Sequence, residues 1–562
     1  MNSFVGSAVL MYFLGCMVFI IILLKMGFLN GGALVMEWEM SDKMVGEMGL
    51  CMVVDWVSCL FLASVLFISG CVSLFSGFYM AHESFLGRFT HILQAFVMSM
   101  MLLVLFPGYL GMMIGWDGLG VVSFLLVVYY SNGESLSAGM ITAISNRVGD
   151  VFFIIAIGVM SSYLSYSFLS GVVFSLPVLS MLLLLGSMTK SAQVPFSAWL
   201  PEAMAAPTPV STLVHSSTLV TAGVYVLFRF SEYLGEVEKS ALMVTSILTM
   251  ILAGSSGMLE TDMKKVVALS TLSQVGMMMF CLSVGSNVVA FFHLLVHAFF
   301  KALMFMCVGG IIFYSGGNQD ARFLGGVWVK LPLTSSLLVF SNLSLMGFPF
   351  FSGFYSKEMI VGSFLAGSWS VVSIFLVFIA LSLTAFYSIR MMTLVTQESN
   401  TCVMSHYKME SLFYMTSLMM MSMGAVISSV MMQKFYVGYL SVLFMDGLYF
   451  YKTLGMFSLM IINILMGLIL FGNNSVKMFT KNFLSLMWFL KPLSGNVASS
   501  KFLVSASKFV GIVEMGWIRG YIWQNGMATM IFGANSKLRM MNFNFIGFIL
   551  FYCCCFVVLV LY

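Results

Sequence analysis

What this sequence lacks most is charge. Of its 562 residues only 8% are Asp, Glu, Lys or Arg, where a soluble globular domain carries about 25%. Too few polar groups are available to coat a water-facing body, which excludes one. An excess of either sign is also lacking. The formal net charge is +4, which points to neither nucleic acid nor acidic substrates. The ten cysteines are scattered and none forms a C-x-x-C pair, so neither a disulfide framework nor a cysteine metal or iron–sulfur site is expected. The run Cys553-Cys554-Cys555 sits in an apolar stretch, where a thiol serves as a small hydrophobe. There is no Walker loop. Gly118-Leu119-Gly120 lies inside an apolar run with no strand before it, and is discarded as a dinucleotide fingerprint. A cleavable targeting segment is not expected either: the first apolar run has no basic flank and is long enough to be a mature span.

What is present is hydrophobic. Apolar residues make up 60% of the chain and the mean hydropathy is +1.03. Methionine, at 53 residues, rivals phenylalanine, at 54; packing does not demand this, but an organellar code that reads an isoleucine codon as methionine would produce it. Apolar runs of span length recur from end to end, at 4–24, 51–79, 93–111, 112–131, 138–162, 171–194, 209–230, 240–259, 264–284, 287–313, 330–352, 361–390, 411–431, 450–472 and 543–561. In hydrocarbon the backbone must satisfy its own hydrogen bonds, so these runs predict helices. The alternating segments of a barrel are absent,. The expected fold is therefore an all-α polytopic membrane protein with about fifteen transmembrane helices,.

Two connecting segments break the pattern. Residues 31–50 hold Glu37, Glu39, Asp42 and Glu47 against Lys43. Residues 473–540 hold Lys477, Lys481, Lys491, Lys501, Lys508, Arg519, Lys537 and Arg539 against Glu514. An odd number of runs separates them, so they belong on opposite sides, with the basic one where positive charge is retained. At about 100° per residue, Lys501, Ser505, Lys508 and Arg519 fall within about 60° of one another. That predicts a long lateral amphipathic helix on the membrane surface, the rival being an irregular solvated tail. A last apolar run then anchors the end. The divisions expected are 1–92, 93–390, 391–472, 473–540 and 541–562.

The remaining charges lie inside apolar runs. A charge at mid-bilayer costs roughly 2.5 kcal/mol or more, and such residues mark ion or proton paths. Asp117 follows Gly115-Trp116. Arg147 and Asp150, three apart, share a helix face,; a structural ion pair explains them equally well. Lys190 closes an apolar run and Pro195 follows five residues later. Proline cannot donate to the carbonyl four residues back, so a break is expected beside Lys190 that leaves free carbonyls near its ammonium group. A broken helix with an ionisable residue at the break is a transporter feature. His215 sits in the polar patch His215-Ser216-Ser217-Thr218, as a relay or as a hydrogen-bonded core residue. His293, His297 and Lys301 are spaced four and four, a stripe down one helix and a plausible proton ladder, since histidine titrates near neutrality. The same spacing suits metal, but the Glu of H-E-x-x-H and any nearby fourth ligand are missing,. Lys357 and Glu358 follow Pro349 and Gly353, a second interrupted segment. Two proline-broken helices, near 190 and near 350, point to two internal repeats of inverted topology. Asp262, Lys264 and Lys265 stand at a run boundary, as interfacial anchors or as feeders of a proton path.

Together these motifs resemble one family. Ile114-Gly115-Trp116-Asp117, Asn146-Arg147-Val148-Gly149-Asp150, Trp199-Leu200-Pro201-Glu202, Ala206-Pro207-Thr208-Pro209, Val214-His215-Ser216-Ser217, Asp262-Met263-Lys264-Lys265, His297-Ala298-Phe299-Phe300-Lys301 and Tyr355-Ser356-Lys357-Glu358 are similar to those of the chain 5 family of NADH–ubiquinone oxidoreductase. Its members are antiporter-like proton-pumping subunits of respiratory complex I. The likeness is dense from about residue 55 to 357 and architectural beyond about 390, where the basic segment resembles the family's lateral helix and anchor. Three departures stand out. The family usually has Glu where this chain has Asp117, often Asp where it has Glu358, and sixteen spans where fifteen are read here.

The resemblance implies a multi-pass protein of the mitochondrial inner membrane. Asp117 would pair with Lys190, with Arg147 and Asp150 tuning that pair. Protons would pass from Lys190 to His215, on to His293, His297 and Lys301, and out past Lys357 and Glu358. It implies no cofactor in this chain, with FMN, iron–sulfur clusters and ubiquinone in partner subunits. It implies contacts with other membrane-arm subunits, above all the neighbouring antiporter-like ones, and with phospholipid such as cardiolipin, but not with nucleic acid. Two other readings remain: a subunit of a stand-alone cation/proton antiporter, and a structural member of the complex with an inactive channel.

Overall fold

Proline and glycine decide where the apolar runs stop. The computed structural model describes residues 2–28, 33–39, 49–161, 177–367, 369–396, 411–444, 478–493, 499–513 and 533, in two compact units, 1–490 and 491–562. The first unit opens with α1 (Asn2–Phe28), strands β1 (Leu34–Glu39) and β2 (Gly49–Val54), then α2 (Trp56–Tyr79) and α3 (Leu86–Leu105). α4 (Tyr109–Val127) follows Phe106-Pro107-Gly108. The sequence suggested a boundary near 111; Pro107 places it earlier, because it lacks an N–H and disfavours helical geometry in the residue before it.

The hairpin corrects the all-α expectation. β1 and β2 pair antiparallel, with Leu34 opposite Val54 and Glu39 opposite Gly49. Leu34, Met36 and Trp38 alternate with Val35, Glu37 and Glu39, a period-two pattern that the charge count of the acidic stretch concealed. An isolated hairpin is marginal; here the Trp38 ring lies 6.3 Å from that of Phe106. Asp42, Lys43 and Glu47 lie outside the described residues.

Asp55 joins the hairpin to α2. Its Oδ1 accepts the Ser58 amide at 2.8 Å, and the Asp55 amide donates to Ser58 Oγ at 2.9 Å, a capping box. Arg229 grips the same carboxylate through both Nη atoms, at 2.5 and 2.9 Å. Burial works against the charged Asp55 carboxylate, yet Arg229 and Ser58 outweigh it and hold the group below the ordinary aspartate value of about 3.8,.

The rest of the unit is helical: α5 (Gly133–Ser161), α6 (Pro177–Lys190), the short α7 (Trp199–Glu202), α8 (Thr208–Tyr233), α9 (Glu236–Gly257), α10 (Met263–Val284), α11 (Asn287–Tyr314), α12 (Pro332–Met346), α13 (Ser352–Ala366), α14 (Val371–Thr396) and α15 (Leu412–Phe444). Among the described residues ten helices are long and apolar enough to cross a membrane, and three apolar helices are shorter, at Phe4–Val18, Pro177–Lys190 and Pro332–Met346. The expected spans at 450–472 and 543–561 lie outside the described residues. So the about fifteen expected are not reached in what is described. One predicted run, 361–390, is in fact cut by the end of α13 at Ala366 and the start of α14 at Val371.

The apolar stretches of α8, α10 and α11 are buried on every side, as helices that are hydrophobic all round require. α11 is the hub, packed against α2, the start of α8, α10, α12, α13 and α15. These central helices carry His215, Lys264, His293, His297 and Lys301, all buried.

Residues 473–540 are not one continuous helix where they are described. A helix at Met478–Ser485 ends in a turn where Met487, Trp488 and Phe489 all have positive φ. In the second unit, α16 (Ser499–Ile512) presents Lys501, Ser505 and Lys508 as exposed residues. Arg519, the fourth residue of the expected face, lies outside the described residues, as do Lys477, Lys537 and Arg539.

Candidate functional site

The first cluster forms where α4, α5 and α6 meet. α6 ends at Lys190, where the sequence places a break. The chain then turns through Ala192 at φ 53° toward Pro195. Lys190 does not use the carbonyls of its own break. Gln193 Nε2 donates to the Ser191 carbonyl at 3.1 Å, while the Lys190 ammonium reaches across to α4 and donates to the Trp116 carbonyl at 2.6 Å. The same ammonium lies 3.7 Å from the centre of the Trp116 ring, a cation–π contact. Trp116 Nε1 in turn donates to Asp150 Oδ1 at 2.9 Å. One tryptophan therefore touches both the amine and a carboxylate.

No ion pair within 4.0 Å joins Asp117 to Lys190. Asp117 lies 3.6 Å from Arg147, and Arg147 lies 3.1 Å from Asp150. Both carboxylates and Arg147 still act electrostatically on Lys190. The direct partner expected from the sequence is thus replaced by the main chain one residue earlier. Exposure divides the cluster: Lys190 is fully buried and Asp150 nearly so, whereas the side chains of Asp117 and Arg147 are 44% and 56% exposed. Close packing between α5 and α6 is possible because residue 149 is Gly; a Cβ there would run into Thr189 Oγ1 and stand 3.2 Å from the Gly186 carbonyl.

His215 lies next along the chain, fully buried, in a π-helical stretch Ser211–Thr218 at the start of α8. Such widened turns are rare and frequent at functional sites. Thr218 Oγ1 donates to the Leu213 carbonyl five residues back at 2.8 Å. Neither ring nitrogen of His215 has a hydrogen-bond partner among the described protein groups; its ring faces Trp199 at 6.2 Å.

The second cluster is built around α11. His293, His297 and Lys301 are all fully buried. The Lys301 ammonium donates to Ser270 Oγ at 2.5 Å and lies 3.8 Å from Met304 Sδ. His293 is held at both nitrogens, Nδ1 by Ser356 Oγ at 2.9 Å and Nε2 by Gln274 Oε1 at 3.2 Å. His297, between them, finds no partner at either nitrogen among the described groups; its ring centre is 6.2 Å from that of His293. Lys357 projects from α13 back across the second break and donates to the Leu345 carbonyl near the end of α12. The break at Pro349 lies between α12 and α13, so Lys357 and Glu358 sit inside a helix rather than between two spans, and Lys357 is buried.

At the boundary, Lys265 pairs with Asp262 at 3.0 Å at the start of α10, while Lys264 is buried. Sequence reasoning passed over Trp116, Ser270, Gln274 and Ser356 as separate contributors. Only Trp116 and Ser356 carried any signal, by standing inside charged motifs.

Bundled spans with two broken helices and a buried row of lysine and histidine define an antiporter-like membrane subunit, and comparison agrees at the level of fold. The structure of the Mrp complex from Dietzia sp. matches with a TM-score of 0.75 at 22% identity, over 96% of this chain and 61% of that one. The archaeal membrane-bound sulfane sulfur reductase matches with a TM-score of 0.64 at 20% identity, over 77% and 94%. Residues 107–386 match the family described as NADH:quinone oxidoreductase/Mrp antiporter, TM, and residues 45–90 the NADH-ubiquinone oxidoreductase (complex I), chain 5 N-terminus. Relatives at higher identity narrow this. NADH-ubiquinone oxidoreductase chain 5 of Locusta migratoria is 38% identical over 92% of this chain and 93% of its own length. That of Lumbricus terrestris is 43% identical over 70% and 69%. That of Aedes aegypti is 47% identical over 63% and 62%, so the match spans under two thirds of that relative. The chain belongs to the NADH–ubiquinone oxidoreductase chain 5 family.

Proposed function

We propose that this chain is a proton-translocating membrane-arm subunit of NADH:ubiquinone oxidoreductase in the mitochondrial inner membrane. NADH oxidation and ubiquinone reduction would take place in partner subunits that hold FMN and iron–sulfur clusters, and this chain would move protons in response. The observation that carries the reading is the burial of Lys190, His215, His293, His297, Lys301 and Lys357 within one helical unit. Buried ionisable residues are costly in a membrane and tend to serve transport.

In this mechanism Asp117, Arg147 and Asp150 set the electrostatic environment of Lys190. A proton passes from Lys190 by way of His215 to the ladder of His293, His297 and Lys301, and leaves past Lys357 and Glu358. The ring nitrogens of His215 and His297 have no hydrogen-bond partner among the described protein groups, so transfer to and from them runs through bridging water. The energetic scale is suitable. Moving one charge across 100 mV takes about 2.3 kcal/mol, and a carboxylate moving toward or away from a buried amine changes its proton affinity by an amount of that order.

The half-exposed pair Asp117 and Arg147 supports the choice of partners. It lies beside Ile114, Ile144, Val148 and Val151, all exposed. Charges facing lipid there would be expensive, which favours a neighbouring membrane-arm subunit on that side. The basic segment 473–540 is assigned to contacts with neighbouring subunits and anionic phospholipid such as cardiolipin.

The test is proton pumping per NADH oxidised in sealed vesicles of the assembled complex, comparing Lys190→Ala with wild type. A pumping loss of at least tenfold at preserved assembly is expected. Normal pumping would make the buried charges structural.

A further inference from the structure

His293 is the one member of the buried row gripped at both ring nitrogens, and by two different helices. Gln274 on α10 presents Oε1 to Nε2 at 3.2 Å, and Ser356 on α13 presents Oγ to Nδ1 at 2.9 Å. An amide oxygen only accepts, so Nε2 carries a hydrogen. In the neutral imidazole Nδ1 is then bare, and the Ser356 hydroxyl must donate to it.

Ser356 Oγ has a second acceptor within reach, the Gly353 carbonyl at 3.2 Å. One hydroxyl hydrogen cannot serve both. When His293 takes up a proton at Nδ1, the new N–H donates to Ser356 Oγ, and the hydroxyl hydrogen turns to the Gly353 carbonyl. Both arrangements give the ring hydrogens of His293 and the Ser356 hydroxyl hydrogen an acceptor. They differ only in where that hydrogen points, and serine keeps its own hydrogen throughout.

Gly353 is not an arbitrary acceptor. It lies in the first turn of α13 (Ser352–Ala366), the helix that follows the second break and carries Lys357. By helix geometry its carbonyl also receives the Lys357 amide, four residues on. Its backbone presses on α12: a Cβ at Gly353 would collide with the Ser344 carbonyl. The Lys357 ammonium bonds to the next carbonyl of α12, that of Leu345. The charged and titratable groups that act around this site are His297 and Lys301 on α11, Lys357 on α13, and Tyr387 on α14, which shares Gln274 with His293.

We infer that Ser356 is a positioning residue that reports the protonation state of His293 to the break between α12 and α13, and so to Lys357. This rests on the proton-translocating reading above and adds a link to it. The hydroxyl matters as a hydrogen-bond switch, not as bulk.

The test uses the assembled complex in sealed vesicles, with proton pumping per NADH measured across pH for wild type, Ser356→Ala, Ser356→Thr, Ser356→Cys and Lys357→Ala. Ser356→Ala is expected to assemble, to lower pumping several-fold and to shift the pH profile by about one unit, the size of one hydrogen bond. Ser356→Thr keeps the hydroxyl and should restore both. Ser356→Cys, a weak donor of similar size, should fall between and replaces Ser356→Ala if that variant does not assemble. Wild-type pumping and pH profile in Ser356→Ala or Ser356→Cys, with Lys357→Ala impaired, would overturn this inference alone. Equal impairment of Ser356→Thr and Ser356→Ala would overturn it too, by showing that bulk decides. Normal pumping in both Lys357→Ala and Lys190→Ala would remove the proton-translocating reading itself.

Discussion

The two lysine clusters solve the same physical problem in opposite ways. Around Lys190 the buried amine is met by an aromatic face and a carbonyl, with two carboxylates and an arginine close by. Around Lys301 and Lys357 the partners named by the geometry are neutral: Ser270, Met304 and the Leu345 carbonyl, with Ser356 and Gln274 on the neighbouring imidazole. The first cluster also reaches the outside of the chain through Asp117 and Arg147, whereas the lysines and histidines of the second are enclosed. A cluster with balancing charges and an outward face is suited to receiving a signal from a neighbour. An enclosed one with neutral partners is suited to passing a proton along.

That contrast can be broken by experiment. The largest effect should come from the carboxylates. Asp150→Asn removes a nearly buried acid that Trp116 holds, and pumping in assembled vesicles should fall about tenfold or more. Asp117→Asn removes a half-exposed, partly screened one, and should cost about two- to threefold. The reverse order would mean that the outward face, not the buried side, governs Lys190.

A smaller effect is expected on stability. Lys190→Met leaves Asp150 and Asp117 with Arg147 as their one remaining cation in this cluster and should lower the thermal inactivation temperature of the complex, by a cost on the order of 3 kcal/mol. Lys301→Met replaces an amine whose hydrogen-bond partners, Ser270 and Met304, are neutral and should leave that temperature unchanged or raise it. Equal losses from the two would erase the distinction.

The smallest effect provides a control outside both clusters. Asp55, held below its ordinary value by Arg229 against the opposing effect of burial, contributes stability that is fully present above about pH 4 and is lost as pH falls through the lowered value. Asp55→Asn should therefore destabilise the protein by roughly 2 kcal/mol at neutral pH and progressively less in acid, as read by thermal inactivation across pH. A difference that does not shrink in acid would exclude the ion pair as its source.

How far the sequence could be read depended on whether the relevant interaction was local. The break after Lys190 was legible because Pro195 acts on the carbonyl four residues back. The stripe of His293, His297 and Lys301 was legible because helical spacing puts them on one face. The π-helical widening around His215 was not, since the seven apolar and hydroxyl residues that share Ser211–Thr218 with it fit an ordinary helix just as well. The hairpin at 34–54 was hidden behind its glutamates, although its alternation was there to count. Glu358 fell between the runs read at 330–352 and 361–390, and only the structure puts it on α13.

Composition and spacing were enough to make this a membrane protein of many spans and to locate its buried charges, because hydrophobicity and helical periodicity are properties of contiguous residues; the family showed only in the resemblance of its motifs to known ones. Partner choice was different. Lys190 faces Trp116 rather than Asp117, and His293 sits between Gln274 and Ser356, residues 19 and 63 positions away. Such contacts join helices that meet only when the bundle closes, and no local pattern along the chain specifies which side chains will then be opposite each other.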